Sequence, residues 1–253
     1  IKKPKNKYII IEASSFQLSH SKYICPNYAF FLNLTNDHLD WHGNMKNYLN
    51  SKFKIFHLQN KNHYAIIDKK FKNKFVRKKF LSKLIFPKIK GYMKIKLKIN
   101  NSYLTSKLND QNMSFTYTFA KLLKIKDSSF VKTINSFKGL PHRYELFLKR
   151  KDTLFINDSK ATSFKSTQFA LSSSKNIYWI LGGLPKKEDK IKLLKLKKNI
   201  IKCYVIGNNT SFFINQIKGK INFSITRNLN KTIIQVLKDI KTQKKNIKTI
   251  LLS

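Results

Sequence analysis

From residue 154 to the end of the chain, short apolar runs alternate with stretches of helical spacing, and this alternation constrains the fold more than any other feature. The runs 154–157, 177–181, 203–206, 221–225 and 249–252 read as strands. Between them, 163–171, 188–196, 210–217 and 230–240 read as helices. Tight hairpins join antiparallel neighbours, whereas a helix between each pair of strands forces a crossover, so this part is expected to be a Rossmann-like, mostly parallel sheet.

The segment ahead of it carries the densest chemistry, GLPHRYELFLKRKDTLFINDSKAT over 139–162. A turn at Gly139-Leu140-Pro141 is followed by His142 and Arg143, then by strand candidates at 144–148 and 153–157. The second of these delivers Asp158 and Lys160 to its carboxyl end, the edge of an α/β sheet where ligands bind. Taken alone, Asp-Ser-Lys is better read as a charged surface turn, and it is its occurrence together with GLPHR, in this order, that reverses the reading. The turn at Gly139 also divides the chain into two expected domains, 1–138 and 139–253.

The first half opens on the apolar run 8–12, closed by Glu12, in the pattern of a buried parallel strand ending at a ligand edge. A carboxylate there can bind Mg²⁺, though by itself Glu12-Ala13-Ser14-Ser15 is better read as a strand end followed by a helix cap. A strand candidate at 28–34 leads to Asp37, His38, Asp40 and His42, four metal-binding or proton-handling groups within six residues. Helical spacing over 45–58 puts Lys52 on a face that can return toward His38. Further along, 64–68 reads as a strand and the lysine-rich 69–90 as solvated and irregular. The runs 95–99 and 102–105 read as a hairpin around Asn100-Asn101, and 115–123 as a helix. Asp127 or Ser128 is expected to cap a last helix reaching 137. In the second half, Gly182-Gly183-Leu184-Pro185-Lys186 follows a strand directly, as a plain turn or as a close backbone approach to a ligand.

A formal net charge of +40 raises nucleic acid as a partner. Its make-up points away from that. Only Arg77, Arg143, Arg150 and Arg227 are arginines among 52 basic residues, and the lysines are scattered, whereas readers of bases and phosphates favour arginine. The two cysteines, Cys25 and Cys203, have no metal or redox spacing and are expected to be reduced and partly buried. With no apolar run of membrane-spanning length, a cytoplasmic protein is the simplest reading. Since the chain opens on Ile1 and stops just after an apolar run, it reads as a fragment.

Together these motifs resemble the Mur ligases of bacterial cell-wall synthesis, and within them the D-glutamate-adding branch. The resemblance rests on E-x-S-S-F-Q-L at 12–18, T-x-D-H-L-D-x-H-G at 35–43, Y-x-x-x-K-x-x-I-F at 48–56, GLPHR at 139–143, NDSKAT at 157–162 and G-G-x-x-K at 182–186. It implies a partial central ATPase domain with a mostly parallel sheet, followed by a Rossmann-like C-terminal domain. The implied activity joins D-glutamate to UDP-N-acetylmuramoyl-L-alanine through an acyl phosphate made from ATP, in a cytoplasmic monomer with no nucleic-acid partner. Glu12, His38 and a carbamylated Lys52 would hold Mg²⁺. Asn112, Arg143, Asp158, Lys160 and Thr162 would meet the nucleotide and the acyl phosphate, and Ser14, Ser15, His142 and Lys186 the substrates. Lys160, His38 and Lys52 would be the catalytic groups. Where the family carries H-N-x-x-N, this chain has Gln111, Asn112 and Phe115, so only one adenine-side asparagine is kept. No G-x-x-x-x-G-K-[ST] phosphate loop occurs in the 253 residues, and the chain alone is not expected to ligate. A ligase for another amino acid, a folylpolyglutamate synthase, or a lysine-rich binding protein on a degenerate Mur-like fold are the competing readings.

Overall fold

A computed structural model describes residues 8–35, 37–185, 189–191, 193–242 and 247–253, and divides into two compact units, 1–137 and 138–253.

In the first unit, α1 (Ser15–His20), β1 (Tyr28–Phe31), α2 (Leu39–His42), α3 (Met45–Phe53), β2 (Tyr64–Ile67), α4 (Lys72–Arg77), β3 (Lys83–Ile85), α5 (Ile89–Lys96), α6 (Asp110–Leu122) and α7 (Asp127–Ser136) follow one another. The three strands form a parallel sheet in the order β1-β2-β3. One face of it is an aromatic layer. Phe31 meets Phe53 and Phe71 edge-on at 5.0 and 4.8 Å, and Phe56 meets Phe75 at 5.2 Å. On the other face Phe30 packs edge-on against Phe119 of α6 at 5.1 Å. With β1 and β2 covered on both faces there is no polar side to display, which is why their sequences run apolar, whereas the edge strand β3 begins on the exposed Lys83.

Four expectations for this unit are overturned. The run 8–12 is not a strand. Ile9, Ile10 and Ile11 are 72–92 % exposed and find no ladder partner among the described residues, and an apolar run becomes a strand only when its amides are paired. The lysine-rich 69–90 is ordered, with a 3₁₀ turn at Lys69–Phe71, then α4 and β3, because Phe71 and Phe75 are buried in the aromatic layer with Phe80 packed against it. The proposed hairpin is helix α5 followed by a turn. Tyr92, Ile95 and Ile99 share a face that packs with Met113 and Tyr117, and Asn101 donates to the carbonyls of Ile134 and Phe137 at 3.1 and 3.0 Å, satisfying the end of α7. The N-cap of α7 is Lys126 rather than Asp127 or Ser128. Asp127 sits at the first helical position, accepting from Tyr117 Oη and Lys121 Nζ, both at 3.1 Å.

The second unit contains β4 (Glu145–Arg150), β5 (Thr153–Asn157), α8 (Phe164–Ser173), β6 (Ile177–Gly182), β7 (Ile200–Ile206), α9 (Thr210–Ile217), β8 (Phe223–Arg227), α10 (Leu229–Lys241) and β9 (Lys248–Leu252). Strand order is β4-β5-β9-β6-β7-β8, with only β4 antiparallel to its neighbour, so the expected parallel α/β sheet is present. Strand β9 enters between β5 and β6, pairing Leu252 with Asn157 on one side and Ile180 on the other. Helices α8 and α9 cover one face of the sheet and α10 the other. Gly182 is required where β6 and β7 draw together, because a Cβ there would lie 2.5 Å from the Ile206 carbonyl oxygen.

Among the described residues of 188–196 the expected helix is not formed. Residues 186–188 and 192 lie outside the described set, 189–191 are irregular, and 194–196 form a turn. Hydrogen bonds here go to other elements instead. Asp189 Oδ2 accepts from the Phe164 amide at 2.7 Å, while Gln216 of α9 donates to the Asp189 carbonyl at 3.0 Å and accepts from the Ile191 amide at 2.8 Å. Cys203 is buried as expected, but Cys25 is exposed, because it lies in the irregular lead-in to β1 rather than on the strand.

Candidate functional site

Each unit gathers one group of the residues singled out from the sequence. In the first unit they lie around α1, α2 and α3. Ser14 caps α1: its hydroxyl accepts from the Gln17 amide at 3.2 Å, and Gln17 Oε1 accepts from the Ser14 amide at 2.8 Å. Ser15 points inward, 3 % exposed, with Oγ 3.0 Å from Nε2 of the buried His42. His38 occupies a left-handed backbone position at φ +55°, held by its amide donating to Asp37 Oδ1 at 3.0 Å. Its ring lies edge-on to Phe16 at 4.9 Å and to Tyr48 at 6.1 Å.

Lys52 is half-buried, with Nζ 4.9 Å from the centre of the Tyr48 ring and 5.9 Å from that of Phe31. Burial lowers its pKa, against the opposing pull of Asp37. Tyr48 is thus a shared floor beneath His38 and Lys52, and its place in Y-x-x-x-K was a signal that could have marked it. Glu12 is not gathered with them. It lies exposed on the irregular segment before α1, and no hydrogen bond or ion pair among the described residues ties it to His38 or Lys52. Nor do three or more His, Cys, Asp or Glu side chains converge anywhere among the described residues. The set Asp37, His38 and Lys52 suits a hard divalent ion in kind, provided Lys52 carries an oxygen donor.

Asn112 is exposed on α6, where its carbonyl accepts from Thr116 Oγ1 at 3.1 Å, and Gln111 donates to Asp68 Oδ2.

In the second unit the motifs GLPHR and NDSKAT clasp each other at the carboxyl end of β5. Tyr144 donates its amide to Asp158 Oδ1 at 2.8 Å, and the Lys160 amide donates to the His142 carbonyl at 3.0 Å. Asn157 Nδ2 lies 2.8 Å from His142 Nδ1, and the His142 amide donates to Glu145 Oε2 at 2.7 Å. Asp158 also donates its own amide to the Leu252 carbonyl at 2.8 Å, which anchors the loop to β9. The result is a hydrogen-bonded frame with Arg143, Lys160 and Thr162 exposed upon it. Gly183 is beside this edge too, its carbonyl accepting from Asn209 Nδ2 at 3.2 Å, whereas Lys186 lies outside the described residues.

Asp158 is 5 % exposed, and burial pushes its pKa from 3.8 up to about 6, against the Tyr144 amide and the Arg143 charge. A carboxyl whose folded pKa is raised favours folding below its ordinary pKa and loses that contribution as pH climbs through about 6. The loss is of order 3 kcal/mol, at about 1.4 kcal/mol for each pH unit between the two values. Urea unfolding of Asp158→Asn between pH 4 and 7.5 is therefore expected to show a flatter pH dependence than the parent. Equal slopes would refute the assignment.

The profile of the Mur ligase middle domain matches residues 1–132. The UDP-N-acetylmuramoylalanine–D-glutamate ligase of Rickettsia prowazekii is 33 % identical over 99 % of this chain and 61 % of its own length. That of the Wolbachia of Brugia malayi is 34 % identical over 89 % and 48 %. Among solved structures, a MurF from Acinetobacter baumannii has a TM-score of 0.66 at 14 % identity, covering 94 % of this chain and 58 % of that one. A bifunctional folylpolyglutamate synthase/dihydrofolate synthase from Yersinia pestis, complexed with AMPPNP and Mn ion, has a TM-score of 0.58 at 11 % identity, covering 89 % and 58 %. At such identities these structures speak for the fold. The chain spans about three fifths or less of the curated relatives it matches.

Proposed function

Since this chain belongs to the Mur ligase family, we propose that the protein is an ATP-dependent amide ligase joining D-glutamate to UDP-N-acetylmuramoyl-L-alanine. The observation that carries this reading is the clasp between GLPHR and NDSKAT, which presents Arg143 and Lys160 together at a sheet's carboxyl edge, in a chain aligned along 99 % of its length with D-glutamate ligases.

A carboxylate and an amine do not condense at neutral pH without activation. In the proposed reaction the substrate carboxylate takes the γ-phosphoryl group of ATP, releasing ADP. The amine of D-glutamate then attacks the acyl carbon and phosphate leaves. Each step moves negative charge, so the protein's contribution is positioning and charge stabilisation. Arg143 and Lys160 supply cations for the phosphoryl oxygens from a backbone held in place, with Asp158 part of that frame and Thr162 assigned to the same edge. Asn112 is assigned to the adenine side, and Ser14, His142 and Lys186 to the substrates. Mg²⁺, when bound, neutralises phosphate charge. His38 and a carbamylated Lys52 would hold it, with Glu12 recruited to them.

We read the protein as a cytoplasmic monomer, since both ATP and a UDP-sugar are cytosolic compounds. No helix among the described residues is long and apolar enough to cross a membrane. The dispersed lysines are expected to give no strongly salt-dependent retention of DNA or RNA in a filter-binding titration, and tight salt-dependent binding would revive the binding-protein reading.

The decisive assay is phosphate release by the full-length protein. Release should require UDP-N-acetylmuramoyl-L-alanine and D-glutamate together, while the 253-residue chain alone should give none. Release driven by another amino acid in place of D-glutamate would assign a different ligase of the family.

A further inference from the structure

His42 has no role in the reaction just described, yet it joins the three helices that build the first group. Its imidazole is 5 % exposed, with Nε2 3.0 Å from Ser15 Oγ in α1 and Nδ1 3.4 Å from Ser51 Oγ in α3. Its carbonyl accepts from Asn47 Nδ2 at 3.2 Å. Phe16, Trp41 and Tyr48 wall the ring at centroid distances of 5.6, 4.5 and 4.9 Å. Gly43, at φ +75°, turns the chain immediately after it so that Asn44 can cap α3.

Two consequences follow from helix geometry. Ser51 precedes Lys52, and neighbouring helical side chains point about 100° apart, so holding the Ser51 hydroxyl fixes the direction in which Lys52 leaves α3. His38 precedes α2 and His42 closes it, so the same anchor holds the loop that presents His38. Burial also lowers the pKa of His42, with the nearby His38 and Lys52 acting in the same direction. A neutral imidazole has one N–H and one lone pair, and each serine hydroxyl can donate or accept. The three side chains can therefore satisfy one another as a single directed chain of hydrogen bonds.

We propose that Ser15, His42 and Ser51 form a positioning strut that aims Lys52 and His38 at the divalent ion proposed for them, and that Ser15 belongs to this strut instead of contacting substrate. The exposed Ser14 is then the serine of the pair that can face substrate. The inference rests on the ligase reading for the role of Lys52.

The test uses the full-length protein with ¹³C-bicarbonate, reading the carbamate carbonyl signal of Lys52 by NMR beside kcat and KM. His42→Phe keeps a ring of similar shape without its nitrogens. It is expected to cut both carbamate occupancy and kcat at least tenfold, with KM for the UDP substrate within twofold. His42→Gln, which can still donate and accept, should recover part of each. Ser51→Ala should lower the same two readouts by a smaller factor, and decides the matter if His42→Phe fails to fold. A parent protein that carries the carbamate, with variants that keep occupancy and kcat within twofold, overturns the strut alone. A parent with no carbamate at Lys52 overturns both the strut and the metal arrangement proposed above.

Discussion

Replacing Lys160 by alanine in the full-length protein is expected to lower kcat by at least about a thousandfold, near 4 kcal/mol of transition-state stabilisation, with the fold intact. The expectation comes from the way this residue is held. Its backbone is fixed, the amide bonded to the His142 carbonyl at 3.0 Å and the next amide, of Ala161, to the Asp158 carbonyl at 2.8 Å. Its side chain is exposed and contributes nothing to the core, so truncation leaves the β5 edge and the Tyr144–Asp158 bond in place. What disappears is a cation on a hydrogen-bonded frame at the point where phosphoryl charge is proposed to develop. An interaction made mainly in the transition state lowers kcat while KM changes little. Circular dichroism and thermal unfolding should match the parent. Activity within tenfold of the parent would remove Lys160 from the catalytic group.

Much of the second unit was legible because its signals are local. Helix α9 falls on the 210–217 spacing, and β6 is a continuous apolar run closed by glycines. The insertion of β9 between β5 and β6 was not legible, since five similar apolar runs carry no order of pairing. The first unit misled wherever one local signal stood for two structures. Residues 95–99 alternate as a strand would, but Tyr92, Ile95 and Ile99 also form a helical stripe, and packing against α6 decided for the helix. At 69–90 the lysines hid Phe71, Phe75 and Phe80. At 8–12 the apolar pattern was real, but a strand needs a neighbour, and a pattern cannot supply one.

For the candidate site, the sequence was legible only at the level of motifs. The resemblance to the family's motifs singled out Asp158, Lys160, His38 and Lys52. The hydrogen bonds that hold them were not visible, because the amides of Tyr144 and Lys160 donate across the turn, 14 and 18 residues along the chain. From the sequence, His42 is only one of four polar groups in a loop. That it is buried, and which hydroxyls it meets, are properties of three helices packed together.

The second large effect is expected at Lys52, which should carry a carbamate on Nζ in the active full-length protein. An ordinary lysine ammonium has no lone pair for a metal and repels one, with a pKa of about 10.4. In this structure, however, Lys52 sits half-buried over Tyr48 and Phe31, with no hydrogen bond or ion pair among the described residues, and burial lowers its pKa. Each of these raises the fraction of neutral amine, the only form that reacts with CO₂. In that reaction the nitrogen lone pair attacks the carbon of CO₂, one N–C bond forms, and a proton leaves to water. The side chain becomes an anionic oxygen donor of the kind hard divalent ions take, next to Asp37 and His38. Raising the pH toward the lysine's lowered pKa should therefore speed the modification at fixed CO₂. Intact mass under bicarbonate should show an added carboxyl group, and Lys52→Ala should lower kcat by about a hundredfold or more, with part of the loss restored by a small carboxylate such as formate or acetate. Full activity in Lys52→Ala without a supplement, or an unmodified Lys52 in a fully active enzyme, would defeat the assignment. A variant that is inactive and not rescued by carboxylate, beside an active parent that shows no added mass, would leave Lys52 necessary as an amine.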